Sequence, residues 1–274
     1  MLSFECPRIM GVINATPDSF HAASRVEAVT EALKAAERMI SQGADVLDVG
    51  GQSTRPGSEQ VGASIECARV VPVIEAIRSR WPDVPVSIDT YHSEVAQKAL
   101  DAGANIVNDI SGAKMDPDMV PLLADRQVPC ILMHMQGTPE TMQDRPEYSD
   151  VVREVHAFLE ERKDTLSKQG IPHIALDPGF GFGKTIEHNY RLLDALPSLA
   201  ATGTPILVGV SRKSMIHKVL GCTPAEALNG TSILHAWALD RGAHILRVHD
   251  VAEAVECVKL HAALNATRKG IAHD

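Results

Sequence analysis

Polar residues close nearly every short apolar run in this sequence, at the positions where a buried strand would end. They are Asn14, Asp48, Asp89, Asn108, Asp109, His134, Asp177, Arg247 and His249. Burying carboxylates and amides in a narrow space costs several kcal/mol unless a ligand or a partner completes their hydrogen bonds. Any one of them, Asp48 or Asp109 in particular, could be only a strand or helix cap. The whole set predicts a ligand site at the ends of the strands.

Cationic side chains near the second, seventh and eighth apolar runs indicate an anion. Arg247 and His249 are two residues apart, so in a strand their side chains point the same way. With Arg55 they could form an anion pocket, and barrels commonly bind anions near strands seven and eight. Residues 211–214, which include Lys213, lead into a predicted helix whose N-terminus also favours anions. We therefore expect a phosphorylated substrate.

Residues 176–184 read Leu-Asp-Pro-Gly-Phe-Gly-Phe-Gly-Lys, the most distinctive string of the chain. Its glycines lack the spacing of a phosphate-binding loop. Three alternating glycines predict a tight, exposed loop after the strand that ends at Asp177. Such a loop would present Phe180 or Phe182 outward as a platform for a ligand, although packing onto the barrel rim is an alternative.

Eight apolar runs alternate with amphipathic segments along the whole chain. The runs span 9–14, 46–51, 86–89, 106–109, 130–134, 174–177, 206–211 and 245–249. Helical spacing of apolar residues marks segments such as 26–42, 65–80, 151–169, 225–240 and 251–263. Eight β/α units close most simply into a (β/α)₈ TIM barrel, here a single α/β domain over residues 1–274. An open, doubly wound sheet is the alternative.

Three of the units share one pattern, in which Gly-Ala precedes a short apolar strand and a polar closing residue. The stretches are 43–48, 103–108 and 242–247. Glycine ends a helix readily because it reaches positive φ without a Cβ penalty. The recurrence predicts that Asp48, Asn108 and Arg247 reach the same rim of the barrel.

Composition narrows the classes of function. The 274 residues are 45% hydrophobic and 22% charged, with a net charge of −9, which argues against a nucleic-acid partner because phosphate backbones need a basic face. Five scattered cysteines form no C-x-x-C pair, as is typical of reduced thiols in the cytoplasm. We find no apolar run of the length of a membrane span and no signal peptide, so a cytoplasmic protein without membrane partners is expected.

With these residues in view, the chain resembles the dihydropteroate synthase family of folate biosynthesis over nearly its whole length. The matching strings lie at 10–20, 48–57, 87–90, 108–110, 133–137, 177–184, 211–214 and 247–250. The resemblance implies a (β/α)₈ barrel transferase that condenses 6-hydroxymethyl-7,8-dihydropterin diphosphate with 4-aminobenzoate. Its products would be 7,8-dihydropteroate and pyrophosphate. It also implies a homodimer, Mg²⁺ as cofactor and competition by sulfonamides.

The same resemblance assigns site residues. For the pterin it implies Asp177, Asn108, Asp89 and Lys213, and it adds Met133 as a further substrate-binding residue. For the diphosphate it implies Arg55, Arg247 and His249, with Asn14 as the Mg²⁺ ligand, and for 4-aminobenzoate it implies Thr54, Pro56, Phe180 and Ser214. The implied catalytic residues are Asp18, Arg55, Lys213, Arg247 and His249. In this assignment Asp48 has no ligand role.

Two departures from the family pattern bear on activity. Residues 21–24 read His-Ala-Ala-Ser where the family usually has Ser-Asp-Gly-Gly, so an acidic residue of loop one is lost and Asp18 could serve instead. Gln52 stands where the family usually has Glu. Three alternatives therefore stay open: a slow or non-catalytic pterin-binding paralogue, a pterin-dependent methyltransferase module, and an aldolase that forms a Schiff base on Lys213.

Overall fold

The computed structural model describes residues 6–15, 22–52, 60–142 and 146–271, and it forms a barrel of eight parallel strands. The strands pair in the order β6-β5-β4-β3-β2-β1-β8-β7. A parallel bridge from Leu176 to Ile206 joins β6 to the stretch before β7 and brings the two edges together. The (β/α)₈ fold predicted from the alternating runs is thus confirmed, and the open sheet is wrong.

The strands are short and mostly end where the sequence predicts. They are β1 (Arg8–Asn14), β2 (Val46–Gly50), β3 (Val86–Asp89), β4 (Ile106–Asp109), β5 (Cys130–Met133), β6 (Ile174–Asp177), β7 (Leu207–Val208) and β8 (Ile245–Val248). The prediction of a strand over 206–211 is wrong in length. The chain turns soon after Val208, with the Lys213 amide bonded to the Val210 carbonyl and Arg212 at a φ of 55°.

Ten helices occur in the described part of the chain. They are α1 (Ala22–Gln42), α2 (Ala63–Arg80), α3 (Ser93–Asp101), α4 (Met119–Arg126), α5 (Val151–Lys168), α6 (Ile186–Asp194), α7 (Leu196–Ala200), α8 (Ser214–Leu220), α9 (Leu228–Asp240) and α10 (Val251–Ile271). None of these helices is both long enough and apolar enough to span a membrane. Helix α9 starts three residues later than predicted, because Thr223 and Pro224 accept hydrogen bonds in turns before it.

The Gly-Ala pattern does what its sequence predicts. Gly43, Gly103 and Gly242 have φ values of 102°, 110° and 92°, which residues with a side chain rarely adopt. Each follows a helix and precedes a strand by a few residues. The three units therefore start their strands in the same way and carry their closing residues to the same end of the barrel.

Two of the three clusters of buried apolar residues in the described part of the chain build the walls and the interior of the barrel. The larger lies between the strands and the surrounding helices, and the smaller lies inside the barrel near the amino ends of the strands. We call the smaller part the amino-end cluster; it consists of Met10, Val46, Ile106, Ile131, Ala175, Leu207 and Ile245. Side chains two residues further along a strand point into the same interior. On four of these strands those positions hold polar residues, namely Asp48, Asn108, Asp177 and Arg247.

Candidate active site at the carboxyl end of the barrel

Four side chains from four strands form one hydrogen-bonded group, which we call the carboxyl-end network: Asp48, Asp89, Asn108 and Arg247. Oδ2 of Asp48 accepts from Nε of Arg247 at 2.7 Å and from Nδ2 of Asn108 at 3.1 Å. Nη2 of Arg247 donates to Oδ2 of Asp89 at 2.6 Å. The closing residues of all three Gly-Ala units therefore meet, and Asp48, which the sequence analysis left without a role, lies at the centre.

In this network the cost of burying the carboxylates is opposed by the positive charge of Arg247. Asp48 and Asn108 are almost completely buried, and Asp89 is nearly so. Burial raises the pKa of Asp89, and the nearby Arg247 guanidinium opposes that rise. The Arg247 side chain is partly buried, and its ion pairs with Asp48 and Asp89 hold the guanidinium in place at the barrel mouth. By contrast, Asp109 caps its own turn, accepting from both the amide and the hydroxyl of Ser111 at 2.7 Å.

Asp177 and Lys213 form the second half of the site. The Gly179 amide donates to Oδ1 of Asp177 at 2.7 Å and so orients the carboxylate. Burial raises the pKa of Asp177, an effect that Lys213 opposes. Burial lowers the pKa of Lys213 to about 8, and Asp177 counteracts this decrease. The Lys213 ammonium donates to the Phe180 carbonyl and lies 4.7 Å from the centre of the Phe182 ring.

The expectation of an outward phenylalanine on the glycine loop is wrong. Phe180 is fully buried in the core, and Phe182 packs in a small cluster that includes Met133. The loop lies against the strand-five end so closely that a Cβ on Gly179 would stand 2.0 Å from the His134 carbonyl oxygen. Phe180 therefore offers its carbonyl to the site and not its ring.

Lys184 holds this loop in place, and sequence reasoning missed it. Its ammonium lies 3.0 Å from Nδ1 of His134 and contacts the carbonyls of His134, Gly179 and Phe182 at 3.2, 3.0 and 2.9 Å. Burial lowers the pKa of Lys184 to about 7 and that of His134 to about 3. The sequence signal that could have found Lys184 was its place at the end of the glycine string after β6, because a histidine follows the neighbouring strand β5.

The remaining predicted residues lie around the rim. Asn14 is exposed at the end of β1, and Met133 is buried at the end of β5. Nδ1 of His249 lies 3.0 Å from the Ser211 hydroxyl, and burial lowers the pKa of His249. Ser214 is the first residue of α8. The predicted residues outside the described ranges are Asp18, Thr54, Arg55 and Pro56.

Near the second loop, neutral and acidic side chains lie together. Nε2 of Gln52 donates to the Tyr91 hydroxyl at 3.1 Å. Glu66 on α2 is almost completely buried, and burial raises its pKa to about 7, which a hydrogen bond from Thr90 opposes. The charge of Asp89 makes a smaller contribution to the rise.

A cavity of about 850 Å³ lies at the other end of the barrel, away from these residues. It is lined by members of the amino-end cluster, Met10, Val46 and Ile131 among them, and by Arg8 and Lys163 at its edge. The polar network does not contribute to its wall. The convergent polar groups needed for specific recognition are not in this cavity but at the carboxyl end.

Comparison with known proteins places the chain in a family. Residues 10–249 match the family model described as a pterin binding enzyme. The chain is 43% identical over 268 residues to a dihydropteroate synthase of Escherichia coli, covering 97% of this chain and 94% of that protein. It is also similar to the Yersinia pestis dihydropteroate synthase crystallised with a sulfonamide drug (TM-score 0.90, 40% identity, 97% and 96% of the chains). The Xanthomonas albilineans enzyme in complex with 7,8-dihydropteroate gives a TM-score of 0.86 at 39% identity, covering 97% and 96% of the two chains.

The barrel is closed, its carboxyl end holds the carboxyl-end network with Asp177 and Lys213 beside it, and the family model matches most of the chain, so the protein is a pterin-binding enzyme. Its full-length relatives narrow the class further. The chain belongs to the dihydropteroate synthase family.

Proposed function

We propose that this protein condenses 6-hydroxymethyl-7,8-dihydropterin diphosphate with 4-aminobenzoate, producing 7,8-dihydropteroate and releasing pyrophosphate. The observation that carries the proposal is the convergence of Asp177, Asn108 and Lys213 at one end of the barrel, in a chain of this family. A relative's complex with 7,8-dihydropteroate supports it. The methyltransferase alternative loses support because the full-length relatives are synthases.

Asp177 is the proposed anchor of the pterin. A pterin edge presents a ring N–H beside an amino group, and a carboxylate accepts two such bonds at once. Asp177 is buried, with one oxygen oriented by the Gly179 amide. The Asn108 oxygen and Asp89 would meet the other ring edge, while Lys213 would donate to the ring carbonyl and N5. Met133 would pack against the ring.

The diphosphate would leave toward the rim, where Arg55, Arg247 and His249 neutralise its charge. Among the described residues no three His, Cys, Asp or Glu side chains are placed to hold a metal ion together. Mg²⁺ often keeps waters and uses one or two protein ligands plus phosphates of the substrate. The exposed amide oxygen of Asn14 fits that mode, and the ion would offset charge on the leaving group.

We infer a dissociative reaction at the pterin methylene. Loss of pyrophosphate leaves a cation that the electron-rich ring delocalises, and the weakly nucleophilic amine of 4-aminobenzoate then captures it. The protein would accelerate the reaction mainly by stabilising the departing pyrophosphate and by orienting the pterin ring. Thr54, Pro56 and Ser214 would hold 4-aminobenzoate, and the backbone at Phe180 would help, since its ring is in the core. Asp18 would replace the lost acid of loop one.

The lowered pKa of Lys213 is also what a Schiff-base aldolase needs. In this structure, however, the ammonium is engaged by the Phe180 carbonyl and the Phe182 ring. A lysine held in this way is suited to donate to a polar ring, so we favour pterin binding. Borohydride trapping of a carbonyl substrate on Lys213 would reverse this choice.

The activity assay is direct. Purified protein, the pterin diphosphate, 4-aminobenzoate and Mg²⁺ should yield dihydropteroate and equimolar pyrophosphate, with loss of turnover in EDTA and inhibition by a sulfonamide that 4-aminobenzoate relieves. Tight binding of the pterin diphosphate without turnover would contradict the catalytic proposal. It would support a binding paralogue whose loop one, with His21 to Ser24, lacks the needed acid.

We also propose a homodimer through α9 and α10. Ile233 and Trp237 on α9 and Leu260 and Leu264 on α10 are 43%, 47%, 73% and 49% exposed, and the two helices lie side by side. Large apolar side chains that are exposed on neighbouring helices are typical of an interface. Light scattering should give twice the 29.5 kDa chain mass, and Trp237→Glu with Leu260→Glu should give monomers. A wild-type monomer would contradict the proposal.

A cytoplasmic location is proposed on the cysteines. All five are free, although Cys67 and Cys130 are buried and none is placed to pair. Reduced thiols are typical of a reducing compartment. Cell fractionation with an antibody to the protein should recover it with cytoplasmic markers.

A further inference from the structure

Asp48 is fully buried at the centre of the carboxyl-end network, yet none of the roles proposed above uses it. Its Oδ2 accepts from Asn108, proposed to meet the pterin, and from Arg247, proposed to meet the diphosphate. We propose that Asp48 is a positioning residue that sets the orientation of both groups before substrate arrives. The inference rests on the proposed function, because it assigns those two groups to that substrate.

The first effect of Asp48 is on the polarity of the Asn108 amide. A side-chain amide carries a donor and an acceptor on opposite sides, and it can turn over when its surroundings allow either. An ionised carboxylate only accepts, so Asp48 requires the nitrogen of Asn108 to face it. The amide oxygen must then face another direction, where a ligand that donates an N–H can use it. Asp48 thus favours a ligand that has an N–H donor at the ring position facing the Asn108 oxygen.

The second effect is on the guanidinium of Arg247. Asp48 receives Nε and Asp89 receives Nη2, so two carboxylates hold one edge of the planar group. A planar fork held at two points has one orientation, and Nη1 is the nitrogen that neither bond uses. An anion at the barrel mouth meets a cation that is already oriented, which reduces the ordering cost of binding.

A purely structural carboxylate would be expected to satisfy both oxygens. Oδ1 of Asp48 is buried without a hydrogen-bond partner among the described residues, which is costly. Its register neighbour Ser87 on β3 also has a buried hydroxyl without a partner in the same part of the structure. The Ser87 hydroxyl forms no hydrogen bond with Asn108 or Arg247. Ser87 is therefore a matched control at the same level of the barrel.

The test compares Asp48→Asn with Ser87→Ala by calorimetry, using two separate probes: 6-hydroxymethylpterin, which lacks phosphate, and pyrophosphate with Mg²⁺. In Asp48→Asn both affinities should fall about tenfold or more, because Asn108 can turn over and Arg247 loses a charged partner. The KM for 4-aminobenzoate should stay unchanged. In Ser87→Ala all three values should match wild type.

Unchanged affinity for both probes in a folded Asp48→Asn protein would overturn the proposal, as would an equal loss in Ser87→Ala. Loss of only one affinity would overturn the claim that Asp48 orients both groups. Wild-type turnover is measured alongside. If wild type binds both probes but makes no dihydropteroate, the proposed function fails while the outcome for Asp48 still decides the positioning role.

A double-mutant cycle covers the case in which Asp48→Asn does not fold. Asn108→Ser and Arg247→Lys leave Asp48 in place and alter its two donors. If Asp48 links them, their effects on affinity for the pterin diphosphate should depart from additivity by about threefold or more. Strict additivity would overturn the proposal.

Discussion

The two ends of the barrel interior differ although the same strands build them. Four apolar residues of the amino-end cluster have a polar counterpart two positions further along the same strand. The pairs are Val46 and Asp48, Ile106 and Asn108, Ala175 and Asp177, and Ile245 and Arg247. A strand alternates its faces every residue, so each pair points into the same interior at two levels. Stability and recognition are therefore divided along the barrel axis, within single strands of about four residues.

This division explains how the protein can bury so much charge. The apolar level and the larger outer core stabilise the fold, and that stability offsets the cost of burying Asp48 and Asp177 at the polar level. A change at the polar level should mainly affect ligand affinity. A change at the apolar level should mainly affect the free energy of unfolding.

The largest effect is expected at Asp177. Asp177→Asn replaces an acceptor-only group by one with a donor facing the pterin's own donors, and it leaves Lys213 without its nearest charge. Affinity for the pterin should fall by about a thousandfold, as for other sites built to bond a specific polar group. Calorimetry measures the loss. Affinity within about threefold of wild type would remove Asp177 from its proposed role.

Ile245 tests the apolar level on strand β8, two residues before Arg247. Ile245→Ala should lower the free energy of unfolding by about 2 to 3 kcal/mol, toward the smaller end for such truncations because the residue already borders a cavity. Pterin affinity of the folded variant should not change. Urea unfolding gives the first value and Ile245→Val is the milder control. A large loss of affinity at full stability would break the division between the two ends.

The pH profile should reveal Lys213. Its pKa is lowered to about 8, so the ammonium that donates to the pterin is lost as pH rises above that value. The kcat/KM for the pterin diphosphate should fall tenfold per pH unit above pH 8. Lys213→Met should remove this decrease and lower kcat/KM below pH 8. That result would distinguish Lys213 from Lys184, whose pKa is near 7. A flat profile to pH 10 would contradict the assignment.

The smallest effect is expected at Gln52. Gln52→Glu restores the family's usual acid but adds a carboxylate near the buried Glu66 and Asp89. Burial and like charges raise the folded pKa of such a group above its unfolded value, so its contribution is lost as pH rises. Unfolding free energy should fall by about 1 kcal/mol at pH 8 and by less at pH 5. A gain in stability at pH 8 would show that this side of the site is short of negative charge.

The fold and much of the site were predictable because both follow from local patterns. Glycines at helix ends, alternation along strands and the count of eight units all depend on neighbouring residues, and they place Asp89, Asn108, Asp177 and Arg247 at one end. Burial of Phe180 was not predictable in this way. The glycine loop could point outward or fold back, and the choice depends on Lys184, whose contacts are formed only in the folded barrel.

The hydrogen-bond partners of Asp48, at the centre of the site, could not be predicted from the sequence either. Its position on a strand was predicted, but its partners come from strands 60 and 199 residues away along the chain. Nothing near Asp48 in sequence indicates that Asn108 and Arg247 are its two donors. Only the closed barrel brings β2, β4 and β8 into reach of one oxygen. The roles of Asp18, Thr54, Arg55 and Pro56 stay predictions.

A crystal structure with 6-hydroxymethylpterin bound tests the central claim most directly. The pterin's ring N–H and amino group should lie within hydrogen-bonding distance of Asp177, with the Asn108 oxygen at the opposite ring edge and Lys213 near the ring carbonyl. A pterin found instead in the apolar cavity at the amino end, or bound without contact to Asp177, would contradict the account.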